Sequence, residues 1–205
     1  VGGGKMVTRV AGGHAAIREQ FGLSIGKFEG IEEPLARIAG YTYIMDAART
    51  YTNGAVDQGE KPGVVSAIMK YNTTELQRDL VNDGMDVLAG NGISQGPNNL
   101  MGLAYQAQPI SITVEGANIL TRTMMIFGQG AIRCHPYALD EIEALMEGDV
   151  DAFDDAFWSH IGHVVRNGFR ALGLSLTRGR LASSPVRGPA APYYRKMAWA
   201  SASFA

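Results

Sequence analysis

Two long helical patterns meet at a short break, and this arrangement constrains the fold most. The first covers residues 29–59 and the second covers residues 64–88, with apolar side chains recurring at steps of three and four residues or their multiples. The break at 59–63 consists of Gly-Glu-Lys-Pro-Gly. Because two long helices joined by so short a turn pack antiparallel, the sequence predicts an all-α chain built as an up-and-down helical bundle. The expected core positions are Ile31, Leu35, Ile38, Met45 and Ala48 on the first helix, and Val65, Ile68, Leu76, Leu80 and Leu88 on the second.

The first third and the middle of the chain are less regular. Residues 1–13 are rich in glycine and predict a loop leading into, or the frayed end of, a first helix that runs to about residue 20. Residues 94–109 predict a loop with at most one short helix. A further helix is expected to run to about residue 127, where Gly128 and Gly130 either end it or let another backbone pack against it.

The last third predicts extra C-terminal helices. One begins at Pro136, and another covers residues 149–172 with an apolar stripe that is typical of a core face. Residues 177–192 are rich in Gly, Ser, Pro and Arg and predict a linker, followed by the start of a truncated helix at 193–205. The stripe consists of Phe153, Phe157, Ile161, Val164 and Phe169.

Composition excludes several classes of protein. The 205 residues carry a net charge of −2 and no basic block, so nucleic acid is not an expected partner. A single cysteine, Cys134, cannot form an internal disulfide, and secretion is unsupported. His160 and His163 lie three residues apart, but no glutamate precedes any histidine by three residues, so we expect a solvated or hydrogen-bonded pair and no metal site.

The segment 111–122 carries the clearest candidate for chemistry. Glu115 lies directly beside Gly116 and at the mouth of an apolar helical run. Backbone N–H groups are unpaired at such a position, and glycine lets a ligand approach the chain closely. Glu115 would then lie on the entry to a buried helix. The alternative is an acidic residue of the first turn that complements the helix dipole.

Two other segments contain residue patterns that are typical of ligand-binding sites. Residues 18–22, Arg-Glu-Gln-Phe-Gly, are expected to close the first helix with glycine at its end. Arg18 is either an anion-binding group or a solvated cation at the helix end. Phe21 is either a contact to a bound ligand or a hydrophobic cap. Gly90 and Gly92 follow a helix and not a strand, which rules out a dinucleotide-binding fingerprint of the Rossmann type.

These three segments together resemble the acyl-CoA dehydrogenase family. Residues 114–122 resemble its catalytic-base segment, which usually reads Tyr-Glu-Gly-Thr; residues 18–22 resemble its Arg-x-x-Phe-Gly motif; and residues 86–92 resemble its Gln-x-Leu-Gly-Gly-x-Gly motif. The likeness extends over about residues 8–180, and the run through residues 133–137 is closest to the large proteobacterial fatty-acyl-CoA dehydrogenases of β-oxidation. It implies the C-terminal helical bundle domain at 1–135 and an additional helical segment, truncated at its C-terminus, at 136–205.

The resemblance also implies a reaction. Glu115 would remove the pro-R α-proton of a fatty acyl-CoA while the β-hydrogen passes as hydride to FAD, giving a trans-2-enoyl-CoA. Glu115 and Gly116 would contact the substrate, burial would raise the pKa of the base, and the backbone N–H of Glu115 would bind the thioester oxygen. The cofactor contacts carried over from the family are Arg18, Gln20, Phe21, Gly90 and Ala117, the first three reaching the FAD of an adjacent subunit.

Some positions depart from the family pattern. Val114 replaces the usual tyrosine, Ala117 a threonine, Asp86 a glutamine and Ala89 a glycine. We therefore do not expect Asp86 to be a copied cofactor contact, since a carboxylate cannot donate the hydrogen bonds of an amide.

The family further implies a homo-oligomer, a cytoplasmic location that extends to the periphery of the inner membrane, and an electron-transferring flavoprotein as electron acceptor. The N-terminal helical and middle β-domains of the family have no counterpart here, so we expect this chain alone to be inactive. Two alternatives stay open: an acyl-CoA oxidase, which uses the same base, and a non-catalytic helical assembly module.

Overall fold

The structure of the protein, a computed structural model, describes residues 1–204. The chain folds as two compact units, of which the first spans Val1–Gly130 and the second begins at Ala131. The described backbone is almost entirely helical, and its one sheet consists of two strands of two residues each. The predicted all-α class is therefore confirmed. None of the described helices is long and apolar enough to cross a membrane.

The first unit is a helical bundle centred on its second long helix. That helix, α3, packs against α1, α2, α5 and a π-helical segment, and α1 also packs against α2. The elements in chain order are α1 (Gly2–Ile17), β1 (Glu19–Gln20), β2 (Leu23–Ser24), a 3-10 turn (Ile25–Lys27), α2 (Glu29–Asp57), α3 (Gly63–Leu88), α4 (Gly90–Ile93), α5 (Leu100–Thr113), α6 (Asn118–Leu120) and the π-helical segment (Thr121–Gln129).

The core of this unit is built mainly from α1, α2 and α3. Most predicted positions lie in it or pack against it, but Val65 and Ile68 are 37% and 40% exposed. Both lie near the start of α3, where the described helices do not cover them, and periodicity alone cannot show how far a neighbouring helix reaches. The buried residues of the cluster are Val7, Ala11, Ala15, Ile25, Ile38, Met45, Leu80, Val81, Val87, Leu88 and Met101.

A charged group also joins α2 to α3. The Arg37 guanidinium donates two hydrogen bonds to the Asp83 carboxylate, at 3.0 and 2.7 Å, and a third to Glu33 at 2.7 Å. The hydrogen bonds to Asp83 raise the pKa of Arg37 above its ordinary value. This forked pairing fixes the two helices in register because both carboxylate oxygens of Asp83 are engaged.

Two segments are more helical than the sequence predicted. The glycine-rich start is the first part of α1, because Gly4 lets this helix approach Met45 and Leu80 too closely for a larger side chain. Residues 94–109 were expected to be a loop with at most one short helix, but α5 runs from Leu100 to Thr113 and holds Pro109 in its interior. Burial of α5 against α3 outweighs the one backbone hydrogen bond that proline cannot make.

The glycine pair does not end its helix. The backbone stays helical through Gly128 and Gly130 to the end of α7 (Gly130–Cys134). At Gly130 an added Cβ would lie 3.2 Å from Val64 Cγ1, so the glycine allows close packing of a side chain and not, as had been predicted, of another backbone. The helix was also expected to be buried, and that was wrong for the described chain, since Met124 and Phe127 are 59% and 69% exposed.

The second unit contains α8 (Ala138–Glu147), α9 (Val150–Leu176) and α10 (Ala191–Phe204). α9 packs against both other helices, and Asn167 Nδ2 donates to the Ala202 carbonyl at 2.9 Å. The predicted core stripe of α9 is largely exposed, reaching 73% at Phe169, because the described helices of this unit cover only part of it. α8 begins two residues after the predicted Pro136, and of the predicted last helix Ala205 lies outside the described residues.

Candidate active site

A turn between α5 and α6 carries Glu115. Residues 114–117 form this turn, and both Glu115 and Gly116 have positive φ values, 53° and 87°. Positive φ is unfavourable for a residue with a Cβ, so Glu115 adopts this conformation only because its surroundings hold it there. The Glu115 side chain is exposed in this chain, and it sits before the following helix and not within its first turn.

The Lys70 side chain, on α3, binds this turn and the residues that flank it. Its ammonium group donates to the carbonyl oxygens of Ile112 at 3.1 Å and Gly116 at 2.7 Å, and to Asn118 Oδ1 at 2.6 Å. The three acceptors belong to the end of α5, the turn itself and the start of α6. One half-buried lysine therefore ties together all three parts of the segment.

The Asn118 and Thr121 side chains complete this attachment. Asn118 is 4% exposed, and its Nδ2 donates to Thr74 Oγ1 at 2.8 Å and to Glu75 Oε1 at 2.7 Å. The Thr121 hydroxyl donates to the Gly116 carbonyl at 3.0 Å. Both polar groups of the Asn118 side chain thus have partners on α3, and Thr74, four residues after Lys70, lies on the same helix face as Lys70.

Gly116 is required by space as well as by conformation. A Cβ at this position would lie 3.3 Å from Thr121 Oγ1, in addition to the strain of its φ value. Beside it, Ala117 is exposed and its methyl group cannot donate a hydrogen bond. Any contact of Ala117 with a polar ligand must therefore come from its backbone.

A small hairpin holds the second group of candidate residues. The first helix ends at Ile17 and not at residue 20, and residues 19–24 form the paired strands β1 and β2. Phe21 and Gly22 have φ values of 52° and 78°, as the two central residues of a type I′ hairpin turn require. Gly22 therefore belongs to a hairpin turn and does not cap the helix. Phe21 at the tip is 94% exposed and contacts Phe28 edge-on.

One open cavity brings four of the predicted cofactor contacts together. Arg18, Gln20, Phe21 and Gly90 line a space of about 450 Å³ between the hairpin and the end of α3. Glu115, Gly116 and Ala117 do not line this cavity. The sequence-predicted residues thus fall into two groups on the first unit, one on the turn and one around the hairpin.

Two of the four departures from the family pattern, Asp86 and Ala89, also line this cavity. Ala89, where the family motif has glycine, has φ 49° and ψ −127°, a conformation that glycine adopts freely and alanine does not. Asp86 contributes a carboxylate to the same wall. The cavity therefore has one cation, Arg18, and one anion, Asp86, among its wall groups.

Lys70, Asn118 and Thr121 were not predicted as site residues. Lys70 lies more than 40 residues before its acceptors, and nothing local in the sequence connects them. The only available signal was the spacing of Lys70 and Thr74, which places two polar side chains on one helix face.

A histidine cluster occupies the second unit. The His135 ring lies 4.3 Å from that of His160 and 5.5 Å from that of His163, between ring centroids. His160 Nδ1 is 2.7 Å from Glu141 Oε1, which confirms the hydrogen-bonded interpretation for His160. His135 Nδ1 accepts hydrogen bonds from the backbone N–H groups of Tyr137 and Ala138, at 3.2 and 3.1 Å, and so caps the start of α8.

Protonation of His135 would oppose this cap. Burial, together with the neighbouring His160 and His163, lowers the pKa of His135 below its ordinary value, while Glu141 acts in the opposite direction. The neutral ring keeps a free lone pair on Nδ1 for the two N–H groups.

Among the described residues no group of three or more His, Cys, Asp or Glu side chains is arranged to hold a metal ion.

Comparison with known families assigns both units. Residues 2–128 match the model of the acyl-CoA dehydrogenase C-terminal domain. The chain belongs to the acyl-CoA dehydrogenase family. Residues 132–205 match a second model, described as acyl-CoA dehydrogenase, C-terminal, bacterial type. The two matched ranges adjoin near the boundary between the compact units.

A solved structure supports the fold of this acyl-CoA dehydrogenase domain. The structure titled "FAD complex of PigA" is similar with a TM-score of 0.59 and 18% sequence identity. The match covers 64% of this chain and 34% of that chain. The chain thus spans about a third of the length of this structural relative.

Proposed function

We propose that this chain is the C-terminal helical part of an FAD-dependent fatty-acyl-CoA dehydrogenase of β-oxidation. The observation that carries the proposal is the turn at 114–117, where a carboxylate and a glycine adopt left-handed conformations and are held from α3. A structural acid at a helix start needs neither this conformation nor this attachment. Family membership then makes proton abstraction by Glu115 the favoured role.

In this proposal Glu115 accepts the α-proton of the acyl thioester. An ordinary exposed carboxylate is a weak base toward such a carbon acid, so the bound substrate and the rest of the enzyme must exclude water from it. Gly116 leaves space for the thioester beside the backbone, and the Glu115 backbone N–H points a donor at its carbonyl oxygen as charge develops there.

The residues around the hairpin fit part of a flavin dinucleotide. The Arg18 guanidinium suits a pyrophosphate, the Gln20 amide offers donors and acceptors, and the exposed Phe21 ring offers a stacking surface. Gly90 adds no side chain to the wall at the end of α3, whereas the Asp86 carboxylate on that wall would repel phosphate and is not assigned a contact. When bound, FAD supplies the acceptor for the β-hydride.

The site residues on the turn at 114–117 and those around the hairpin need not contact the same FAD molecule. The cavity at the hairpin does not include Glu115, and one of its residues, Phe21, is 94% exposed and free to contact another subunit. This supports a homo-oligomer in which the hairpin binds the FAD of a neighbour. We further propose an electron-transferring flavoprotein as acceptor and a cytoplasmic enzyme that also works at the periphery of the inner membrane.

The test is anaerobic titration of the complete protein that carries this chain with a long-chain acyl-CoA. We expect bleaching of the flavin absorption, and we expect Glu115→Gln to retain the flavin but lower its reduction rate at least about 100-fold. Glu60→Gln, which removes the same charge from an exposed loop, is the matched control. The 205-residue chain alone should show no turnover.

Other outcomes identify the alternatives. Rapid peroxide formation under air would indicate an acyl-CoA oxidase, which shares the base but passes electrons to oxygen. If the complete protein binds no flavin, the proposed dehydrogenase function is wrong and this chain is an assembly module. If the Glu115→Gln variant is reduced as fast as the wild type, Glu115 is not the base, and this chain serves assembly within an enzyme that has its base elsewhere.

A further inference from the structure

We propose that Lys70 is a positioning residue that holds Glu115 in its reactive orientation. The inference rests on the proposed function, because Lys70 has a role in the reaction only if Glu115 is the base. Lys70 itself contacts residues on either side of Glu115 and not Glu115. Its structural content is separate: without Lys70 the turn at 114–117 should lose its conformation even where α5 and α6 remain folded.

The geometry excludes an acid–base role for Lys70 itself. An ammonium group has three N–H donors and no acceptor, and all three have acceptors here, namely Ile112 O, Gly116 O and Asn118 Oδ1. No donor is left over for a substrate oxygen. Lys70 can act on the reaction only through the segment it binds.

The acceptors explain why a cation is used. Ile112 O is one of the last carbonyl groups of α5, which carry a partial negative charge and have no partner within the helix. Gly116 O belongs to the turn, and Asn118 Oδ1 belongs to the start of α6. A neutral amide or hydroxyl donor could satisfy one or two of these groups, whereas an ammonium satisfies three at once.

The hydrogen bonds from Lys70 hold the backbone at the two residues of the turn with positive φ values, Glu115 and Gly116. Glu115 has a left-handed conformation that a non-glycine residue leaves readily when it is not held, and Gly116 beside it has no Cβ to restrict its dihedral angles. The hydrogen bond from Lys70 to Gly116 O fixes the peptide group between Gly116 and Ala117, one residue beyond Glu115. Through Asn118, the Thr74 and Glu75 side chains add two contacts from the same helix.

Loss of this attachment should affect the chemical step more than substrate binding. A carboxylate displaced by about 1 Å from its proton loses up to about 100-fold in rate, although the substrate itself is still bound by other groups. We therefore expect Lys70→Met in the complete protein to lower kcat 10- to 100-fold with KM changed less than threefold. Lys70→Arg, which keeps the charge, should recover part of the loss.

Two further variants separate positioning from folding. Thr74→Val keeps the shape of the side chain but removes the hydroxyl, which accepts from Asn118 and donates to the Lys70 and Tyr71 carbonyls within α3, so it should lower kcat a few-fold in a folded protein. Lys5→Met is the matched control, because Lys5 is also a half-exposed lysine of the bundle, paired with Asp46 at 3.0 Å and outside both candidate groups. It should keep the wild-type kcat.

Hydrogen exchange measured by mass spectrometry supplies the readout that does not depend on activity. Lys70→Met should increase exchange in a peptide covering residues 112–118, with peptides from α1 and α2 unchanged. Wild-type exchange in that peptide would overturn the inference, as would a kcat within twofold of the wild type in an active enzyme. If the wild type itself shows no turnover, the proposed function fails, and exchange alone decides whether Lys70 holds the turn.

Discussion

Ala89 has a backbone conformation that is unfavourable for any residue with a side chain. It links α3 to α4 with φ 49° and ψ −127°, in a region that is costly for any residue with a Cβ. We expect Ala89→Gly to raise the free energy of unfolding by about 1 kcal/mol, since relief of strain exceeds the entropy that glycine adds to the unfolded chain. Urea denaturation followed by circular dichroism would measure it.

The control for Ala89→Gly is the same change at Ala47. That residue is exposed within α2, where glycine lowers stability by about 1 kcal/mol relative to alanine. The two substitutions should therefore have opposite signs. Equal destabilisation at both positions would contradict the strain argument for Ala89.

At the residue scale, the sequence pointed to the proposed base more readily than to the residues that hold its turn. Glu115 beside Gly116 was recognisable because glycine permits backbone conformations that other residues avoid. Lys70 was not, because its acceptors lie on a different part of the chain and hydrogen bonds across a bundle leave no local pattern. The exposure of Glu115 was also missed, since a sequence does not show what covers a side chain.

At the element scale, close helix packing depends on Gly84. An added Cβ there would lie 2.6 Å from Met101 Cε and 3.0 Å from Val7 Cγ1, where α3 meets α5 and α1. The methionine end can move, but the branched valine is stiff. We expect Gly84→Ala to lower the free energy of unfolding by about 1 to 2 kcal/mol, because overpacking outweighs the gain in helix propensity.

Gly40 supplies the comparison for Gly84. It lies in the middle of α2, is exposed, and has no atom within 4 Å of an added Cβ. Gly40→Ala should therefore raise the free energy of unfolding by about 1 kcal/mol through helix propensity alone. Thermal or urea unfolding of both variants measures the difference, and stabilisation by Gly84→Ala would refute the packing argument.

Helices were predicted correctly where the sequence signal for their ends was local. α2 and α3 were predicted within two residues at each end because the glycines and proline between them are strong local breaks. The full length of α5 was not predicted because Pro109 is unfavourable inside a helix, and tertiary packing overrides that preference. The glycine-rich start of α1 was missed for the same reason, since its packing against α2 and α3 is not visible locally.

At the scale of the whole molecule, the α9 stripe shows what periodicity leaves open. Phe157, Ile161, Val164 and Phe169 recur as a core face does, yet each is between 38% and 73% exposed. A hydrophobic period identifies side chains that share a face, but it does not identify what covers that face. The prediction of a core was therefore wrong for this chain taken by itself.

The Phe21 ring provides a test of the hairpin as a binding surface. Because it is 94% exposed, its removal deletes little buried area, and its edge contact with Phe28 at 6.4 Å between centroids contributes at most about 1 kcal/mol. We expect Phe21→Ala to change the free energy of unfolding of the complete protein by less than that, while markedly lowering the FAD retained per subunit.

The measurement is the ratio of flavin to protein absorbance after gel filtration, with unfolding recorded on the same samples. Tyr43→Ala is the control, because this residue is also an exposed aromatic, at 77%, but lies on α2 away from the hairpin. An exposed ring that binds nothing has no physical reason to affect flavin retention. Equal flavin content in Phe21→Ala, Tyr43→Ala and wild type would therefore remove Phe21 from the cofactor site and leave the hairpin as a structural turn.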